Sequence, residues 1–282
     1  MKVMRISILI AIAALLWACG GAVEDKSTTE EKDATEKFND LADEEGFAES
    51  HDEPLELDVD ALGEMSKVAM GESEAANIYS INKEGSNNYL LVFHEWWGLN
   101  NHIIAEADEL YKKLGNVNVI AVDLYDGEVA TDRERAGELM QGADSERCNS
   151  IIAEVLNGLP EGASVGTIGW CFGGGWSLKA ALAGGEKTDA CVMYYGMPVE
   201  DVEVLKTLNS DVLFIFAEQD QWINQEMADK FKSNMDQAGK EITVMAFDAD
   251  HAFANPSSEK YIEKAAQEAN AAAIEYLKAN LK

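Results

Sequence analysis

The run Gly169-Trp170-Cys171-Phe172-Gly173-Gly174-Gly175 constrains this chain more than any other stretch. Before it, Ser164 to Gly169 reads as a short buried strand; after it, Trp176 to Ala183 reads as a helix. Cys171 is therefore expected on a sharp strand-to-helix turn. Such a turn needs glycine two residues before and two after its central residue, because a Cβ there would collide with the folded backbone. Gly169 and Gly173 meet that need. This is the layout of a nucleophile elbow with a thiol where a hydroxyl usually sits. The following helix aims its unpaired amides and positive dipole end at the sulfur, which favours a thiolate and offers a donor to an oxyanion. The alternative is a buried structural cysteine, beside glycines that let a helix pack closely on a strand.

Beyond residue 76 the chain alternates strand-like and helix-like runs. The strand-like runs are Asn77 to Ile81, Tyr89 to Phe93, Val117 to Leu124, Val165 to Gly169, Ala190 to Tyr195, Val212 to Ala217 and Ile242 to Phe247. Several are unbroken apolar stretches, as expected of strands buried on both faces of a parallel sheet. Helical runs lie between them at His102 to Leu114, Asp132 to Gln141, Ser145 to Leu156, Trp176 to Ala183 and Asn224 to Gln237, with a last one from Ser258 to Leu281. This cadence predicts an α/β fold with a doubly wound, mostly parallel sheet flanked by helices. Sites in such sheets gather at the carboxyl ends of the strands. His94-Glu95-Trp96-Trp97 follows one strand-like run, Cys171 another, Asp220 a third and His251 a fourth. The order nucleophile, acid, histidine is the one expected of an α/β-hydrolase fold.

Gly-Trp-Cys-Phe-Gly-Gly, His94-Glu95-Trp96-Trp97-Gly98-Leu99-Asn100 and Asp250-His251-Ala252-Phe253-Ala254-Asn255-Pro256 together resemble the dienelactone hydrolase family over residues 76–282. The resemblance implies hydrolysis of a small ester or lactone, with Cys171 as nucleophile, His251 as base and Asp220 orienting His251. It implies an oxyanion hole built from the backbone amides of Trp96 and Phe172, and a Glu95 that helps ionise the thiol. Asp220 could instead cap a turn, with Glu218 or Asp248 orienting the histidine. His94 reads as structural and His102 as a solvated helix-start residue, since no ligand spacing supports a metal site. Trp97 is either a substrate wall or loop packing. The family's carboxylate-binding arginine corresponds to Arg133, but its partner serine and tyrosine correspond to Ala252 and Gly137. Asn255 stands where the family has an arginine that pairs with the glutamate. The dienelactone substrate itself is therefore in question.

The 22 basic and 52 acidic residues give a net charge of −30, which sets phosphate repulsion against any nucleic-acid partner. Residues 1–18, with Lys2 and Arg5 ahead of the apolar run Ile6 to Trp17, read as an export signal. Leu16-Trp17-Ala18-Cys19 resembles a bacterial lipobox, which implies lipidation of Cys19 and a membrane anchor facing the periplasm or cell surface. Glycine after that cysteine leans the expectation towards the outer membrane. Residues 19–75 are expected to be an acidic, disordered tether, with a short helix as an open alternative near Leu55 to Met70. Cys148 and Cys191 are expected to be buried, unpaired thiols. No metal or organic cofactor is implied, and the chain is expected to be monomeric. The rival reading is a non-catalytic, surface-tethered domain that binds a small ligand.

Overall fold

The computed structural model describes residues 39–282, apart from 45 and 72. Eight strands form one sheet: β1 (Glu64–Met70), β2 (Ser73–Ile81), β3 (Asn88–Phe93), β4 (Asn118–Val122), β5 (Ser164–Trp170), β6 (Thr188–Tyr194), β7 (Asp211–Ala217) and β8 (Ile242–Phe247). Their order across the sheet is β1-β2-β4-β3-β5-β6-β7-β8. The β1–β2 and β2–β4 pairs are antiparallel, and every other pair is parallel. The expected α/β-hydrolase architecture is thus the observed one. β4 and β5 are buried at every position, as apolar strands covered by helices on both faces must be.

The connecting helices are α1 (Asn101–Leu114), α2 (Arg133–Gln141), α3 (Ser145–Gly158), α4 (Phe172–Gly184), the single-turn α5 (Val202–Leu205), α6 (Gln225–Ala238) and α7 (Glu263–Asn280). Side chains that the sequence puts just ahead of the helices cap them. Asn100 accepts from the amides of His102 and Ile103, Asp132 from Arg135, Asp144 from Arg147 and Asn224 from Met227. Each such cap contributes about 1 kcal/mol. The last helix starts later than its apolar pattern suggests. Ile262 donates its backbone N–H to Phe253 O at 3.0 Å, so the chain after His251 runs through turns before α7 begins.

Register sets the level of the strand ends. Phe93 pairs with Gly169, Trp170 with Tyr194, Tyr194 with Ile215 and Ala217 with Phe247. The loops that leave β3, β5, β6, β7 and β8 therefore emerge side by side along one edge of the sheet.

The main departure from the sequence reading is upstream of residue 76. From Asn39 onward the chain assigned to a tether lies against the domain, while residues 19–38 and the leader fall outside the described residues. Glu64–Met70 is an edge strand rather than a helix, and most of its side chains are exposed. Backbone pairing to β2 holds it, and that interaction leaves no mark in an apolar pattern. Phe47 is fully buried, which removes enough apolar surface to contribute roughly 2–3 kcal/mol. Cys148 and Cys191 are buried and unpaired, as expected. No helix among the described residues is long and apolar enough to cross a membrane.

Candidate active site

Cys171 sits between β5 and α4 with φ 55° and ψ −120°, a strained conformation for a residue with a side chain. Its backbone N–H donates to Tyr194 O at 3.0 Å, tying the elbow to the end of β6. The glycines are required by contact. A Cβ at Gly169 would lie 2.1 Å from Gly173 O, and one at Gly173 would lie 2.3 Å from Phe93 O and 2.5 Å from His94 O. Among the described non-glycine residues with positive φ are also Tyr195 and Ala252. The Tyr195 ring is 4.9 Å from that of His251, and Ala252 is the next residue in the chain, so backbone strain gathers at this spot.

Asp220 and His251 meet across the ends of β7 and β8. His251 Nδ1 donates to Asp220 Oδ2 at 2.6 Å. Asp220 Oδ1 accepts from the amides of Trp222 at 2.8 Å and Ile223 at 3.0 Å. The turn-capping and histidine-orienting readings of Asp220 are therefore both realised, one by each oxygen. Asp248 is engaged by Gln219 and Glu218 is exposed. Burial pulls the His251 imidazole down, but Asp220 and the Cys171 sulfur outweigh it, leaving His251 well above its ordinary value. Cys171 and His251 are each 1% exposed.

Glu95 is buried, and burial pushes its carboxyl up to about 7 against the opposing pull of His251 and Asn255. Asn255 Nδ2 donates to Glu95 Oε2 at 2.6 Å, so the residue that replaces the family's arginine still holds the glutamate. His94 is structural, as read from sequence. Its Nδ1 donates to Glu95 O at 2.6 Å, and its Nε2 accepts from the Leu124 amide at 3.1 Å. Of the oxyanion-hole candidates, Phe172 follows Cys171 as the first residue of α4, and Trp96 lies in the loop after β3, the strand beside β5. Trp97 is buried edge-on to Trp96, with ring centroids 4.9 Å apart, and its carbonyl accepts from Ala130. A cavity of about 360 Å³ lies beside Glu95, lined among others by Ile103, Trp170, Asn255, Leu55 and Leu57. His102, expected to be solvated, instead bonds through Nε2 to Leu55 O at 2.7 Å.

The sequence reading missed what covers this site. Phe47 packs edge-on against Trp96 and Trp222, with centroids 5.5 Å and 5.4 Å away. One short turn later, the His51 ring lies 4.6 Å from Trp96 and 5.1 Å from His251. A nitrogen of His51, a nitrogen of His251 and Cys171 Sγ all lie within 4.8 Å of one another. Arg133, read as a substrate-carboxylate ligand, donates from Nε to His51 O and stands 3.9 Å from Asp52 Oδ1. Its partner here is a carboxylate of the same chain. One clue was present: His51 is one of only four histidines and the single one in the acidic stretch.

Comparison with known proteins places the chain in a family. The model of the dienelactone hydrolase family matches residues 77–281. Over 207 residues the chain is 29% identical to a protein of Aquifex aeolicus (strain VF5) named "Putative carboxymethylenebutenolidase", covering 68% of this chain and 88% of that one. Over 115 residues it is 31% identical to the carboxymethylenebutenolidase of Pseudomonas sp. (strain P51), covering 40% and 47%. Among solved structures, a dienelactone hydrolase-like promiscuous phosphotriesterase from metagenomic libraries superposes with a TM-score of 0.68 at 20% identity. That match covers 78% of this chain and 98% of the other.

Proposed function

This chain belongs to the dienelactone hydrolase family, and on that premise we propose that it hydrolyses a small ester or lactone through Cys171, His251 and Asp220. The observation that carries the reading is the 2.6 Å Asp220–His251 hydrogen bond, with an imidazole nitrogen and the Cys171 sulfur within 4.8 Å of each other. The Cys171 thiolate attacks the carbonyl carbon, and the amides of Phe172 and Trp96 stabilise the oxyanion. The carbon–oxygen ester bond breaks, His251 gives its proton to the departing alkoxide, and a thioester remains. Water then loses a proton to His251, attacks the thioester and releases the acid, returning the sulfur. Asp220 holds His251 with its proton on Nδ1, so that Nε2 can do this work. Glu95, carboxyl-buried and held by Asn255, helps the thiol ionise. The scheme requires no metal.

The family-specific lactone is a less favoured substrate, because Arg133 lacks the serine and tyrosine partners that Ala252 and Gly137 replace. A domain that only binds a ligand is disfavoured by the intact hydrogen-bonded pair at the strand ends. Replacing Cys171 by Ala is expected to lower the hydrolysis of p-nitrophenyl acetate by about 10⁴-fold or more with an unchanged melting profile; equal rates would sink the assignment. The basic-apolar leader and Leu16-Trp17-Ala18-Cys19 support export and lipidation at Cys19. Incorporation of labelled palmitate that persists in Cys19→Ser would overturn that part.

A further inference from the structure

Three soft or borderline ligand atoms converge on the buried space over the elbow: Cys171 Sγ and one ring nitrogen each from His51 and His251, all within 4.8 Å of one another. We propose that these residues form a binding site for a divalent transition-metal ion of the zinc class, which when bound ties up the nucleophile and pins the Phe47–His51 turn over it.

The donor set selects this kind of ion. Thiolate and imidazole suit zinc and its neighbours, whereas calcium and magnesium want oxygen ligands. In a tetrahedral zinc site, metal–sulfur bonds of about 2.3 Å and metal–nitrogen bonds of about 2.0–2.1 Å put ligand atoms roughly 3.4–3.6 Å apart. Side-chain rotation of about an ångström takes this cluster there. The three residues leave a fourth position for a small exogenous ligand.

Two independent features point to a ligand. First, His51 Nε2 is an orphan: it is buried with no hydrogen-bond partner, on a residue 5% exposed, and it belongs to the same cluster as His251 and Cys171. A buried polar atom left unpaired costs about 1–3 kcal/mol, so a bond to a metal removes a standing penalty. Second, the opposite nitrogen of each ring is already fixed as metal-ligating histidines require. His51 Nδ1 donates to Phe47 O at 2.8 Å, and His251 Nδ1 donates to the Asp220 carboxylate at 2.6 Å. Both bonds occupy Nδ1, so that each ring, once its Nε2 carries no proton, offers the Nε2 lone pair to the cluster. Asp220 supplies the carboxylate–histidine arrangement common behind zinc ligands, and Phe47 is itself anchored between Trp96 and Trp222.

A metal needs Cys171 Sγ and His251 Nε2 both free of protons, so binding displaces the one proton that the pair shares, and that proton leaves to solvent. The bound ion occupies the sulfur's nucleophilic pair and the base's lone pair together, so the consequence is inhibition. Because His51 comes from outside the hydrolase core, the site exists only while the Phe47–His51 turn is seated.

The test uses the full-length protein under reducing conditions and reads metal binding, so it does not depend on the ester chemistry. Cobalt(II) is expected to give a sulfur-to-metal charge-transfer band with one ion per chain, and the band is expected to vanish in Cys171→Ser. Zinc, titrated against a chromophoric chelator, is expected to bind His51→Ala at least about 10-fold more weakly than wild type. No thiolate band in the wild-type protein, a band that survives Cys171→Ser, or equal zinc affinity in His51→Ala would each overturn the proposal. The wild-type cobalt spectrum decides the matter even if a variant does not fold.

Discussion

The imidazole of His51 stands edge-on to that of His251, with ring centroids 5.1 Å apart and planes inclined at 69°. A residue from a highly acidic stretch, 51 positions into the chain, thus touches the histidine at the far end of the sheet edge. That contact joins the hydrolase core to the segment ahead of it, and it leaves Cys171 1% exposed. The Phe47–His51 turn is thus one of the elements that bury the sulfur.

Loosening the segment is therefore expected to raise activity while lowering stability. Phe47→Ala deletes a fully buried ring that packs on Trp96 and Trp222, and is expected to cost about 3 kcal/mol or less if the seat partly collapses. The kcat/KM for a small activated ester should rise in the same variant. A fall in kcat/KM, with the folded fraction held constant, would show that the segment builds the site rather than covers it.

Asp220→Asn keeps the shape of the pair but offers an amide where a carboxylate now accepts from His251 Nδ1. The imidazole loses both its tautomer and its stabilising charge, and kcat is expected to drop by roughly 10²–10⁴-fold. Asp248→Asn, at a carboxylate engaged by Gln219, is expected to leave kcat within a factor of about two. A comparable drop in both variants would remove the special role of Asp220.

Glu95 gives the protein a pH signature of definite sign. Its buried carboxyl titrates at about 7 against 4.5 when unfolded, so between those values the native state holds a proton that the unfolded chain has released. Stability is full below 4.5 and is lost as pH rises to about 7, by about 3 kcal/mol in total. His51, pushed down to about 3 by burial and by His251, works oppositely, its contribution being lost as pH falls below 6.5. Denaturant melts of wild type and Glu95→Gln at pH 5 and 7.5 separate the two. The variant is expected to lack the loss on going to 7.5, and parallel curves would contradict the buried carboxyl.

Gly173 and Gly137 offer a matched pair. A Cβ at Gly173 meets the backbone oxygens of Phe93 and His94 at 2.3 Å and 2.5 Å, whereas one at Gly137, inside α2, has nothing within 4 Å. Gly173→Ala is expected to cost about 3 kcal/mol and to misplace the elbow. Gly137→Ala is expected to stabilise by about 0.5–1 kcal/mol through better helix propensity. Chemical denaturation of both variants checks the contrast, and similar losses at the two positions would remove the elbow's special constraint.

Local rules carried the sequence reading a long way. Strands buried on both faces announce themselves as unbroken apolar runs, so β3 to β7 were visible within a residue or two at their ends; β8, a half-exposed edge strand, was visible through its β-branched and apolar composition. Gly169 and Gly173 signalled the elbow because only a tight backbone demands glycine at that spacing. Asp220 and His251 were legible as chemistry placed just past strands, though not which oxygen of Asp220 would do what. Glu95 and its neighbour Asn255 were legible only through family resemblance, because the two lie 160 positions apart, and that an asparagine still bonds the glutamate was not.

The sequence by itself determined the alternation of strands and helices, the elbow and the order of the residues at the strand ends, since each depends on neighbours a few positions away. Only the tertiary structure decided that residues from Asn39 onward close over that edge, that His51 stands beside Cys171 and His251, and that Arg133 is taken by His51 and Asp52. Averaged over its length, the acidic stretch shows too little apolar surface to fold. Two of its side chains, Phe47 and His51, seat part of it in an aromatic niche that the core builds from Trp96 and Trp222. A niche assembled from distant loops leaves no trace in the segment that fills it.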